Sequence, residues 1–82
     1  MGFELYQRVA LNRDFPEYRL KCGDIATLID HVPHPKDGET GCVLEVFNAI
    51  GQSIRVVVVS ESAIEPLRAD EIMAVRLLEQ PV

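Results

Sequence analysis

The chain has no tryptophan, and three Phe with two Tyr are its only aromatic residues. A core built from it is therefore filled mainly by Val, Ile and Leu. Cys22 and Cys42 are too few for the disulfide framework of a small secreted domain. Basic residues are scarce: eight Lys and Arg stand against thirteen Asp and Glu, for a net charge of −5. Phosphate backbones are bound by basic faces, so no nucleic-acid partner is expected. No uninterrupted apolar run exceeds four residues, the length of the valine run 56–59. A bilayer needs about 20 apolar residues, so no membrane partner is expected either. The opening stretch Met1-Gly2-Phe3-Glu4-Leu5-Tyr6 lacks a basic region followed by an apolar one, so it does not read as a signal peptide. Tyr6 stands where myristoylation of Gly2 wants Ser or Thr. A cytoplasmic protein is the expectation.

Eighty-two residues, 48% of them hydrophobic, suffice for one small globular core and not two. The chain is organised around residues 41–60, which read as a β-hairpin. Its arms, 42–47 and 53–59, are rich in β-branched residues, and the link 48–52 carries Asn48 and Gly51, which tolerate positive φ. Residues 5–11 read as a first strand and residues 25–32 as a second. Between them lies a long polar connection, 12–23, from which Leu20 tucks into the core; Gly23 is its positive-φ turn residue. Pro16 bars a helix from running through this loop. Residues 60–62 break the strand pattern and fit one helical turn. Residues 63–68 form a short last strand, which Pro66 confines to an edge. The expected organisation is a barrel over residues 1–68 and a tail over 69–82, with a short helical turn where the tail starts. The fold class is all-β: a small five-stranded SH3-like barrel. Val9, Leu11, Leu20, Ile25, Leu28, Leu44, Val46, Val56 and Val58 are its expected core.

The stretches Tyr6-Gln7-Arg8-Val9-Ala10-Leu11, residues 14–29, Leu44-Glu45-Val46-Phe47 and Ile64-Glu65-Pro66-Leu67 resemble a family of small bacterial proteins common in cyanobacteria. It is the domain of unknown function catalogued under the number 4926. The resemblance covers about the first 68 residues and rests on turn glycines and core aliphatics. It implies an SH3-like barrel and no assigned activity. The chain departs from the pattern at Ala26, where a Gly is expected, in the His/Pro loop 31–35, and in its longer tail.

No catalytic set is legible. The carboxylates are many but unpaired by spacing, and Ser60 and Ser62 have no histidine in a nucleophile arrangement. The five glycines are scattered, so no phosphate-cradling loop is present. No cofactor or metal is expected. The one metal alternative is His31, His34 and Cys42 converging at the end of the second strand, but that spacing matches no zinc finger or ribbon. The expected function is a non-enzymatic protein-interaction module whose partner the sequence does not identify. Its candidate contact surface is the first long loop, with Phe15 and Tyr18 as anchors ringed by Arg13, Asp14, Glu17 and Arg19. The alternative is an accessory or immunity-type protein that neutralises one basic partner through its negative surface. Strand residues alternate faces, so two of the four valines must point outward. Val57 and Val59 are the expected outward pair, covered by Ile72, Val75 and Leu78 of the tail or by another chain; the reading leans to a homodimer.

Overall fold

The computed structural model describes residues 3–34 and 38–78. The expectations that fall on Met1, Gly2, residues 35–37 at the end of the His/Pro loop, and residues 79–82 lie outside that range. The protein is mainly β. Five antiparallel strands, β1 (Arg8–Leu11), β2 (Ile25–Val32), β3 (Gly41–Phe47), β4 (Ser53–Ser60) and β5 (Ile64–Pro66), form one sheet in the order β4-β3-β2-β1-β5. The central hairpin and β2 stand where the sequence puts them. β1 is shorter than expected at its start, because Tyr6 takes a left-handed φ of 69° and the chain turns there. Leu5 is left half exposed as a result.

The link between β3 and β4 is built by Asn48. Its carboxamide oxygen accepts the amides of Ile50 and Gln52 at 3.2 and 2.9 Å, and its own N–H donates to the Gln52 carbonyl at 2.8 Å. Gly51, at φ 87°, supplies the left-handed residue that closes the turn.

Two extra residues decide which side chains face inward. In β2 the register shifts between Leu28, opposite Leu44, and Asp30, opposite Val43. Ile29 is the additional residue. A regular ladder would set Asp30 against the fully buried Cys42; the bulge moves Asp30 to the solvent face and sets half-buried His31 there instead. In β4 the shift lies at Ile54: Phe47 pairs with Ser53, but Val46 pairs with Arg55. The consequence corrects the core expected from the sequence. Val57 and Val59 lie opposite the buried Leu44 and Cys42 and are 3% and 5% exposed. Val56 and Val58 face outward, 55% and 51% exposed. A one-residue shift in a strand exchanges its faces. Val57 and Val59 therefore belong to the core and not to an outer association face. Ile25 is half-buried rather than buried. Val9, Leu11, Leu20, Leu28, Leu44 and Val46 are buried as expected.

A single 3-10 turn, Glu61–Ala63, joins β4 to β5, and it buries Ala63. Residues 67–78, after β5, form no helix. One backbone bond, from the Glu71 N–H to the Arg68 carbonyl at 3.1 Å, closes a lone turn, and residues 71–78 continue without turn or bend.

Candidate functional site

The loop between β1 and β2 is closed by its own hydrogen bonds. Phe15 and Leu20 exchange backbone hydrogen bonds of 2.8 and 3.1 Å across a 3-10 turn, Pro16–Tyr18. Pro16 at the start of that turn uses its fixed φ well. Arg19, at φ 58°, ends it. Asp14 accepts the Cys22 amide at 2.8 Å, and Asp24 accepts the Lys21 amide at 2.7 Å. The aromatic rings of Phe15 and Tyr18 stack at 6.1 Å. Both are only partly exposed, and they pack with Phe3 against the core. The six residues expected to form a contact surface are thus brought together. Two of them, however, use their rings to close the core, and Arg13 spends its guanidinium on the Ser62 carbonyl at 3.1 Å. Arg13, Asp14, Glu17 and Arg19 remain exposed around them.

Asp24 and the tail form a contact that the sequence did not announce. Arg76 donates from Nε to Asp24 Oδ1 at 2.9 Å, pairs with the second carboxylate oxygen at 2.5 Å, and donates to the Arg19 carbonyl at 3.1 Å. Burial pushes the Asp24 carboxyl up. The hydrogen bonds from Arg76 and the Lys21 amide and the charges of both residues outweigh it, so the group sits below its ordinary value. The pair lies 52 residues apart in sequence, outside any local pattern that would reveal it.

The described part of the tail, through Leu78, does not cover the outward valines. Ile72 and Val75 are 93% and 84% exposed, Leu78 is 38% exposed, and Val56 and Val58 remain open. β4 is an edge strand of eight residues with no proline and with Arg55 as its one charge. Natural edges of that length are usually blocked by prolines, charges or a covering segment. Arg55 is turned by the bulge to the core side opposite Val46, where its Nε is buried without a hydrogen-bond partner among the described residues. At the far end of β4 a shallow cleft of about 270 Å³ is lined by residues that include Val32, His34, Glu39, Gly41 and Val58. Gly41 makes room for it: a Cβ there would stand 3.2 Å from a Val58 methyl.

Metal chemistry has little to work with. His31 lies directly opposite Cys42 on the ladder, yet among the described residues no group of three or more His, Cys, Asp or Glu is placed to hold an ion. Burial, and then the charges of Glu61 and Glu39, push the Cys42 thiol up, away from the thiolate that a metal or an electrophile would need. Cys22 is exposed and free. No helix among the described residues is long and apolar enough to cross a membrane.

Comparison with known proteins returns one finding. The family model for a domain of unknown function, DUF4926, matches residues 5–73. No curated protein and no solved structure matches. The matched span contains all five strands, the loop between β1 and β2, and the turn before β5, and it ends inside the tail before Arg76. The chain belongs to the DUF4926 family.

Proposed function

We propose that this protein is a non-enzymatic interaction module with an SH3-like barrel frame, and that its contact surface is the outer side and free edge of β4. The strand order, the tight β3–β4 hairpin and the 3-10 turn before β5 support the frame. One observation carries the contact surface: an eight-residue edge strand presents two half-exposed valines on a face that the described residues leave open. An extended segment of a partner adds to such an edge through main-chain hydrogen bonds, and its alternate side chains meet the strand's outward residues. Val56, Val58 and the neighbouring Val43 give that face its apolar character; Thr27 and Glu45 border it. The loop anchored by Phe15 and Tyr18 is, in this reading, a shoulder of the domain. The neutralising-partner alternative has only the net charge of −5 behind it.

Selection of displayed random peptides on the domain tests the reading. Enriched sequences are expected to alternate apolar residues and to lose binding to Val58→Lys while keeping it to Glu17→Lys. Enrichment that survives Val58→Lys and is lost with Glu17→Lys or Arg19→Glu would move the surface back to the first loop.

A further inference from the structure

We infer that the segment that occupies β4 is the tail of a second copy of this chain. The inference rests on the reading of β4 as the contact surface and names its partner. Two unmatched features sit in the same polypeptide. One is the β4 edge with Val56 and Val58. The other is the stretch 72–78, Ile-Met-Ala-Val-Arg-Leu-Leu, which carries one charge and spends its apolar side chains on solvent. Met73, Val75 and Leu77, each two residues from the next, are 63%, 84% and 89% exposed. Arg76 between them reaches the other way, to Asp24 and the Arg19 carbonyl. The tail is thus pinned at Arg76 and leaves Met73, Val75 and Leu77 in solvent at the spacing of one strand face, with Ile72, in register with Arg76, exposed as well. Ile72, Met73, Ala74 and Val75 make no backbone–backbone hydrogen bond among the described residues.

Topology separates donor and acceptor within one molecule. The tail leaves β5, which pairs with β1 at the edge of the sheet opposite β4. The Arg76 anchor then holds it at the turn between β1 and β2. A neighbour can supply what the same chain does not. Seven extended residues cover about 23 Å of strand, a length that β4's eight residues match. A stable dimer needs roughly 800 Å² from each partner. A single apolar tail falls short of that, but a two-fold arrangement doubles the contact, because each copy gives one tail and one strand. The Arg76 pin removes part of the ordering cost before association.

The test uses the full chain. Sedimentation from about 1 to 500 µM is expected to show a monomer becoming a dimer. Val58→Lys and Val75→Lys, both at exposed positions, are each expected to leave a monomer with an unchanged melting curve for the dilute protein. Arg76→Ala is expected to raise the dissociation constant several-fold, since the tail must then be ordered on binding. Site-directed disulfides locate the contact, with Cys22 replaced by Ser. A mixture of Val58→Cys and Val75→Cys chains, under mild oxidation, is expected to yield the mixed cross-link in preference to either homodimer. Val58–Val58 cross-links would replace the tail with a β4–β4 pairing and overturn the inference. A monomer at every concentration would overturn it too, and peptide selection that still depended on Val58 would then leave the β4 surface standing with a different occupant.

Discussion

At the residue scale the four valines of β4 divide cleanly. Val57 and Val59 lie among the buried side chains, while Val56 and Val58 lie half in solvent. Truncating Val57 to Ala should destabilise the fold by about 1–3 kcal/mol through lost burial and a residual cavity. Val56→Ala should change it by less than about 0.5 kcal/mol. Denaturant midpoints on the two variants check this; equal losses would mean that the assigned faces are wrong. Asp24 gives a second prediction. Its folded value is depressed by Arg76 and Lys21, so the native state binds its proton less readily than the unfolded chain does. The stabilisation is present above the unfolded carboxylate value of about 3.9 and fades as the pH falls through the lower folded value. The pair is partly solvated, with side chains 20% and 33% exposed, so Arg76→Ala should cost no more than about 1 kcal/mol. Urea titrations should show that cost constant from pH 5 to 8 and gone well below pH 4. A cost that grew on acidification would contradict the assignment.

At the element scale the register of β4 follows from the bulge at Ile54 and not from hydrophobicity. Either face of a four-valine run would fill the core equally well, so the pattern in the sequence is degenerate there. A regular ladder from Phe47 and Ser53 would pair Leu44 with Val56; the extra residue pairs it with Val57. Most of the fold lay in plain patterns: the alternation in β2 and β3, Asn48 and Gly51 in the hairpin link, Gly23 at φ 94°, and Leu20 as the apolar residue of a polar loop. Both bulges lay beyond those patterns, because a bulge is a property of a pair of strands and their turn. The Asp24–Arg76 contact was equally out of reach, since long-range ion pairs leave no periodicity. Of the candidate site, the outward apolar pair was foreseen in number and misassigned in identity. The tail starts in a single turn, closed by the Glu71 N–H on the Arg68 carbonyl at 3.1 Å and by the Glu71 carboxylate, which accepts the Arg68 amide at 2.6 Å. The bulge makes a specific prediction. Deleting Ile54 should leave Val46 opposite Arg55 and Phe47 opposite Ser53 in a regular ladder, with the core intact. Circular dichroism melts should show that variant folded with little loss of stability; a variant that fails to fold would discount the bulge.

At the scale of the whole molecule, a five-stranded sheet with one short 3-10 turn between its last strands leaves β4 and β5 at its two edges. β5 has three residues and ends at Pro66, so it offers almost nothing to pair with. β4 has eight residues and no such block. In the proposed reading that asymmetry directs association to the β4 edge, where a domain this small gains stability from it. Surface repulsion from a net charge of −5 opposes association weakly, because charges more than about 8 Å apart are screened at physiological salt. The most direct measurement is residue-by-residue amide hydrogen exchange along β4, followed over a dilution series. In the dilute protein, every second N–H of β4 points away from β3 and should exchange fast while its neighbours are protected. At high concentration, or with a selected peptide bound, the fast set should slow to match. Uniform protection at every dilution would mean that the chain covers its own edge. A fast set that nothing slows would mean that no partner docks there.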